Sequence, residues 1–195
     1  WVGGRFSLWS SVGLAAVIAL GSAGFRRLLA GARELDQHFR EAPPASNLPF
    51  LMAVLGVWNT QFQATHSLAV LPYSDRLALL PSFLQQLEME SNGKSVTASG
   101  ERVEWSTAPV IWGGSGNDAQ HSYYQALHQG TVSAALDFIL IKESPCGRPA
   151  LQKLANANAA AQIEAFGDTL AHSRGFLVLD HFCPTRKPTD QPSQH

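Results

Sequence analysis

Three short apolar runs, each followed by a segment of helical character, constrain the fold of this chain more than any other feature of its sequence. The apolar runs occupy residues 68–73, 109–112 and 134–141, and the segments after them occupy 75–90, 118–128 and 151–166. Strands that alternate with helices are joined by crossover connections, so we expect the strands to be parallel and the helices to cover them. The sequence therefore predicts an incomplete α/β fold, a three-layer α/β/α sandwich with a mostly parallel sheet.

The first part of the chain predicts helices and no strands. Helices are predicted at 8–20, 25–39 and 48–62. The first is apolar all round and is broken by Gly21 and Gly24, the second is amphipathic, and Asn47 caps the third. The run at 8–20 is shorter than the roughly 20 residues of a membrane-spanning helix, and arginines flank it. We therefore expect a buried core helix there, and neither a membrane span nor a signal peptide.

Composition excludes several classes of partner. The chain has 195 residues, of which 45% are hydrophobic, and its formal net charge is -1. A nearly neutral chain without long runs of like charge has no electrostatic reason to bind nucleic acid or an anionic membrane. The two cysteines, Cys146 and Cys183, have no metal-ligand spacing and are too few for a disulfide framework. We expect a cytoplasmic protein with neither of these partners.

Four segments of the chain resemble the glucose-6-phosphate isomerase family. They are Val-Gly-Gly-Arg-Phe-Ser-Leu-Trp-Ser at 2–10, Gln-Gln-Leu-Glu-Met-Glu-Ser-Asn-Gly-Lys at 85–94, Val-Ile-Trp-Gly at 110–113, and the segment 120–131 with Gln-His at its start and His-Gln-Gly-Thr at its end. The resemblance is collinear from residue 1 to about 166. It implies isomerisation of a sugar phosphate in glycolysis and gluconeogenesis, without a cofactor, on a sugar isomerase (SIS-type) domain.

The resemblance also implies a domain organisation. Residues 1–46 correspond to a helical segment at an inter-domain junction, 47–167 to part of the SIS-type domain, and 168–195 to a divergent tail that is predicted to be disordered. The last part of the tail, 184–195, is polar and contains proline. Because the chain begins at Trp1 in what resembles the middle of a fold, we expect an internal piece of a longer protein.

Glu90 is the predicted base. Interconversion of an aldose and a ketose phosphate requires a group that removes a proton from C2 and returns it to C1, and one carboxylate can do both. The resemblance places Glu90 in that role, in the last turn of a helix, where the negative end of the helix dipole disfavours ionisation. Without the resemblance, Glu90 would be read as a solvated residue before an Asn-Gly cap, as Glu88 is.

His121 matches the family's histidine that helps to open the sugar ring, a task suited to a side chain that titrates near neutrality. The resemblance implies a homodimer in which His121 serves the active site of the other subunit. The alternative is a structural histidine at the start of a helix. His128 lies seven residues further on, but no third ligand at suitable spacing supports a metal site, so we expect His128 to be structural and no metal to be bound.

Three further residues are predicted at the site by resemblance. Arg5 matches an arginine beside the reacting carbons, where a fixed positive charge stabilises the developing enediolate. Gly4 would allow close approach of the backbone to the substrate. Gln86, one helical turn before Glu90, resembles a glutamine that contacts the substrate. The competing interpretations are an arginine paired with a surface carboxylate and a plain exposed glutamine.

Some features depart from the family pattern. The Gly-Gly-Ser-Gly loop at 113–116 lacks the Gly-Lys-Ser/Thr ending of a phosphate loop, and it has Gly114-Ser115 where the family usually has Glu-Pro. The family's phosphate-binding loop and its lysine near the C-terminus have no counterpart here. Two alternatives to an enzyme therefore stay open: a sugar-phosphate-binding regulatory module without turnover, and a structural remnant that needs a partner chain.

Overall fold

A computed structural model defines the protein over residues 3–131, 133–142, 148–167 and 174–179. The predictions for Cys146 and Cys183, and for most of the 168–195 tail, fall outside these residues.

The centre of the fold is a four-stranded, all-parallel sheet. Its strands are β1 (Ser67–Pro72), β2 (Val110–Gly113), β3 (Ala135–Ile141) and β4 (Arg174–Leu179), in the spatial order β2-β1-β3-β4. The three predicted strands and their parallel arrangement are confirmed. The fourth strand lies within the segment predicted to be disordered, so six residues of that segment have regular structure and pair with β3.

The helices occupy the predicted regions, except that the first begins at Leu14 and not at residue 8, and two predicted helices are divided. The helices are α1 (Leu14–Glu41), α2 (Leu48–Gln61), α3 (Leu80–Leu84), α4 (Gly116–Ser122), α5 (Tyr124–Gln129) and α6 (Pro149–Gly167). The region predicted as one helix at 75–90 consists of the 3-10 turn Asp75–Leu77, α3 and the π-helical turn Gln85–Glu90. The region at 118–128 is divided at Tyr123, whose φ and ψ of -134° and 2° are not helical.

Two apolar clusters lie on the two faces of the sheet. The larger cluster packs α4, α5 and α6 against one face, and its members include Leu71, Leu136 and the fully buried Phe166. The smaller cluster lies on the opposite face, where Val70, Ile111 and Ile139 pack against side chains of the 77–89 region. The sheet therefore has helical layers on both faces, and the three-layer prediction is confirmed.

The two N-terminal helices form a hairpin, joined at the buried Asn47. The Asn47 side chain accepts a hydrogen bond from the Phe50 N–H, at 3.2 Å, and donates to the Phe39 carbonyl, at 2.8 Å. The predicted cap on α2 is thus confirmed. Gly21, with φ of 68° and ψ of 165°, interrupts the helical geometry of α1 as predicted, whereas Gly24 does not.

The expectation of a buried helix at 8–20 is wrong for this chain. No residue of α1 or α2 is buried, and Ile18 is 76% exposed. A helix that is apolar on all sides needs neighbours on all sides, and the described residues cover α1 on part of its surface only. By length and composition alone, the span Ser11–Glu41 could also cross a membrane, a test that core helices and signal sequences pass equally.

Candidate functional site

Glu90 is the last residue of the π-helical turn Gln85–Glu90, and its side chain is exposed. Single π-helical turns are rare and occur frequently at functional sites. The helix ends two residues later, and the Gly93 N–H makes its last i to i−4 hydrogen bond, to the Met89 carbonyl at 2.9 Å. A side-chain carbon on Gly93 would overlap that carbonyl oxygen. The predicted end at Asn-Gly is confirmed.

A lysine that the sequence interpretation did not include acts at the end of this helix. The Lys94 ammonium donates to the carbonyl oxygens of Glu90, at 2.8 Å, and Ser91, at 2.6 Å. Its positive charge lies where the helix dipole is negative and offsets that field. The environment of Glu90 therefore contains a cation as well as a helix end.

The turn that carries Glu90 is attached to the edge strand β2. The Gln85 Nε2 donates to the Ile111 carbonyl at 2.9 Å, and the Ile111 N–H donates to the Met89 Sδ at 3.3 Å. The Met89 side chain also packs against the smaller apolar cluster. The position of Glu90 relative to the sheet is thus set by its neighbours on the same helical turn.

The N-terminal turn Arg5–Ser7 contacts the π-helical turn Gln85–Glu90. Gly4 precedes that N-terminal turn, and its carbonyl accepts a hydrogen bond from the Ser7 N–H at 3.0 Å. A side-chain carbon added to Gly4 would meet no other atom within 4 Å, so the space in front of this glycine is open. The structure therefore brings together the two segments that contain Gly4, Arg5, Gln86 and Glu90, with Gln86 exposed on its turn.

His121 lies on a different layer from Glu90. It is an exposed residue near the end of α4, which packs with α5 on the face of the larger apolar cluster. The turn with Glu90 packs on the opposite face through Met89. Within one chain, the structure thus groups the Glu90 and Arg5 segments and places His121 on the other side of the sheet.

A buried hydrogen-bond network holds the helix that carries His121. The hydroxyls of Tyr73 and Tyr124 lie 3.0 Å apart, and the Gln120 Nε2 donates to the Tyr73 hydroxyl oxygen at 3.0 Å. Asn158 of α6 donates to the Gln120 Oε1 at 3.2 Å. Burial raises the pKa of Tyr73 and, together with the hydrogen bond to Tyr73, that of Tyr124, so both stay protonated at neutral pH.

Close contacts with neighbouring residues explain two glycines of the 113–116 loop. Gly113 has a φ of 137°, and a side-chain carbon there would collide with the backbone of Val70. A side-chain carbon on Gly116 would overlap the ring of Tyr73. Both glycines allow α4 to start close to the end of β1, which explains the loop without a bound phosphate.

His128 is partly buried and packs against α6, in agreement with the structural role predicted for it. Its ring stacks on Phe166, with centroids 3.8 Å apart and an angle of 4° between the planes, and its Nε2 lies 3.3 Å from the Gln162 Oε1. Among the residues that the structure describes, no three His, Cys, Asp or Glu side chains cluster closely enough to hold a metal ion.

One partly buried carboxylate lies away from these groups. Asp137 is in the middle of β3, in register with Val70 of β1 and Gly175 of β4. Burial raises the pKa of Asp137 to about 6. Because Asp137 lies on a central strand, its titration makes the stability of the fold depend on pH.

Sequence reasoning missed Gln85, Met89, Tyr73 and Gln120, because each acts through a contact distant in sequence. A weak signal existed for Tyr73. A tyrosine at the end of a buried strand needs a partner for its hydroxyl.

Comparison with known proteins gives a consistent result. The family model described as phosphoglucose isomerase matches residues 1–174. The glucose-6-phosphate isomerase of Psychrobacter arcticus is 47% identical over 92% of this chain and 34% of its own length. That of Deinococcus radiodurans is 49% identical over 95% of this chain and 35% of its own length. The chain therefore spans about a third of the length of these curated relatives.

Solved structures agree with this result. A crystal structure of a glucose-6-phosphate isomerase from Chlamydia trachomatis superimposes with a TM-score of 0.77 and 39% identity, over 82% of this chain and 32% of that one. A hypothetical protein from Thermus thermophilus gives a TM-score of 0.71 and 30% identity, over 91% of this chain and 44% of that one. From its sequence and its fold together, the chain belongs to the phosphoglucose isomerase family.

Proposed function

We propose that this chain is part of an enzyme that interconverts glucose 6-phosphate and fructose 6-phosphate through a cis-enediol, in glycolysis and gluconeogenesis. The observation that carries the proposal is the contact between the Arg5–Ser7 turn and the turn that ends at Glu90. Relatives matched over most of this chain are named glucose-6-phosphate isomerase. A carboxylate beside a segment with a cation suits removal of a proton from carbon next to a carbonyl group.

In the proposed mechanism, Glu90 takes the proton from C2 of the open-chain aldose and returns it to C1. The electrons of the broken C–H bond form the C1–C2 double bond, and the C1 carbonyl oxygen becomes the enediolate oxygen. The hydroxyl proton on O2 moves to O1, and the same carboxylic acid then returns its proton to C1, which leaves the ketose carbonyl at C2. Arg5 would stabilise negative charge on the enediolate oxygens. Gly4 would let the backbone approach the substrate, and Gln86 would hold a sugar hydroxyl one turn before the base.

His121 is proposed to exchange a proton with the ring oxygen during ring opening, in the active site of a second subunit. Its placement on the face of the sheet opposite the Glu90 turn supports a contribution across a homodimer interface. The proposed partners are thus a sugar phosphate and a second copy of the enzyme.

We propose the cytoplasm as the location and an SIS-type domain for residues 47–167, with 1–46 at an inter-domain junction.

The remote phosphate of the substrate would be held by parts of the enzyme that have no counterpart in this chain. Binding energy at that phosphate positions C1 and C2 beside the base. For this reason the chain by itself is proposed to be inactive.

The test is Glu90→Gln in the complete parent enzyme, with Glu88→Gln as a matched control. The amide keeps the shape of the side chain but cannot accept the proton, so kcat should fall by at least about 10³-fold. Binding of fructose 6-phosphate, measured by calorimetry, should change less than about threefold. The control removes a carboxylate two residues away and should retain turnover.

Turnover by Glu90→Gln within tenfold of the unchanged enzyme, in an assay coupled to glucose-6-phosphate oxidation, would refute the role of Glu90. A parent protein that binds sugar phosphates but never turns them over would instead support the regulatory-module alternative.

A further inference from the structure

The backbone groups of Ile111 point away from the sheet. The neighbouring Val110 N–H, in β2, donates to the carbonyl of His66, next to β1, at 2.8 Å. The Gly114 N–H, just after β2, donates to the carbonyl of Val70 in β1, at 3.2 Å. Because alternate residues of a strand point their backbone groups to opposite sides, Ile111 directs its N–H and carbonyl away from β1. β2 is an edge strand in the described sheet, where such groups lack a strand partner.

Side chains of the π-helical turn form hydrogen bonds with both backbone groups of Ile111. The Gln85 amide donates to the Ile111 carbonyl, at 2.9 Å, and the Met89 sulfur accepts from the Ile111 N–H, at 3.3 Å. One turn of helix thus supplies the hydrogen bonds that a further strand would have made. Met89 is also tied down by packing against Ile111 and its cluster.

These contacts determine how the turn is rotated about its own axis. Gln85 and Met89 lie four residues apart, on the side of the turn that faces β2, and Glu90 follows Met89 directly. Two anchors on one side of a single turn oppose rotation, so Glu90 is held away from β2. A catalytic group must be kept within fractions of an ångström of its working position.

We propose that Gln85 and Met89 are positioning residues, which set the direction of Glu90 by binding the edge of the sheet at Ile111. The inference rests on the proposed function, in which Glu90 is the base. Neither residue needs to touch the substrate for this role.

The first arm of the test measures the anchor itself and requires no activity. Amide hydrogen exchange of the 195-residue chain is followed by mass spectrometry with fragmentation that resolves Ile111. Met89→Leu keeps the volume but removes the acceptor, so exchange at Ile111 should quicken about tenfold, with exchange at Val70 unchanged. Gln61→Leu is the matched control, because it removes another glutamine bond to a carbonyl, that of Ser106.

The second arm measures kinetics in the complete parent enzyme. Gln85→Leu and Met89→Leu should each lower kcat about tenfold or more, with KM within twofold, whereas Gln61→Leu should leave both unchanged. Gln85→Glu adds a pH readout that a loss of packing would not produce. A protonated carboxyl can donate to the Ile111 carbonyl and a carboxylate cannot, so kcat relative to the unchanged enzyme should recover as pH falls.

The outcomes separate the two ideas. Unchanged exchange at Ile111 in Met89→Leu, or kcat within twofold of the unchanged enzyme in both leucine variants, overturns the positioning role. Absence of turnover in the unchanged parent removes the proposed function and the positioning role with it. In that case, faster exchange in Met89→Leu would still establish the anchor as a structural feature.

Discussion

Removal of one hydroxyl, in Tyr73→Phe, tests the buried network that holds α4. Tyr73 is 1% exposed, and its hydroxyl meets the hydroxyl of Tyr124 and the side-chain amide of Gln120, each at 3.0 Å. The substitution keeps the ring, and therefore its contact with Phe138, but removes both hydrogen bonds. Tyr124, 3% exposed, is left with a hydroxyl that has lost this partner.

The cost can be worked from these contacts. Each neutral buried hydrogen bond contributes about 1 kcal/mol, and a stranded buried group costs more than the mean. Tyr73→Phe should therefore destabilise the fold by about 2 kcal/mol, which lowers the melting temperature of a chain of this size by about 4–8 °C. Tyr124→Phe removes one of the two bonds and should cost about 1 kcal/mol.

The assay is urea unfolding of the chain at low micromolar concentration, followed by tryptophan fluorescence, for the two single variants and the double variant. Because Tyr73→Phe already breaks the bond between the tyrosines, the double variant should be less destabilised than the sum of the single variants. A Tyr73→Phe variant within about 0.5 kcal/mol of the unchanged chain, or strictly additive effects, would refute the network as a source of stability.

Three further predictions follow from single features. Burial raises the pKa of Asp137 from 3.8 to about 6, so the folded state binds more protons than the unfolded state between these pH values. The free energy of unfolding should therefore fall by roughly 2–3 kcal/mol as pH rises from about 4 to 6. Asp137→Asn should remove that fall in urea titrations. Gly116→Ala should lower the free energy of unfolding by about 1–3 kcal/mol, because its methyl group overlaps the Tyr73 ring. Gly31→Ala, in open space on α1, should raise it by about 0.5–1 kcal/mol. Equal melting temperatures of the two variants would contradict this expectation. The purified chain should show no isomerase turnover and should self-associate in light scattering through its exposed apolar helices, and a soluble monomer with parent-like activity would be the contrary result.

The strands could be predicted from the sequence because local pattern determines them. Apolar runs bounded by turn residues leave few alternatives to buried parallel strands, and β1, β2 and β3 lie where these runs lie. The division of the 75–90 helix could not be predicted, since a π-helical turn depends on what the turn packs against. The exposure of α1 has a related cause. An all-round apolar pattern indicates that a helix needs cover but does not identify the cover.

The candidate site was predictable only in part. The resemblance identified Glu90, Arg5 and His121 as single positions, and the roles of these residues, with those of Gly4 and Gln86, stay predictions. The contact between the Arg5–Ser7 turn and the Glu90 turn joins segments about 80 positions apart, which no local pattern encodes. The hydrogen bonds from Gln85 and Met89 to Ile111 depend on the register of an edge strand and could not be predicted from the sequence either.

The strand order has a consequence for synthesis on the ribosome. β1 comes first in sequence among the described strands and lies inside the sheet, between β2 and β3. Its first pairing, Ser67 with Val110, must wait for 43 more residues to be made, which takes roughly 2–9 s at about 5–20 residues per second. During that time the apolar strand Ser67–Pro72 lacks both of the strands that flank it in the described sheet. Slowing translation before β2 should therefore prolong the binding of chaperones to the nascent chain.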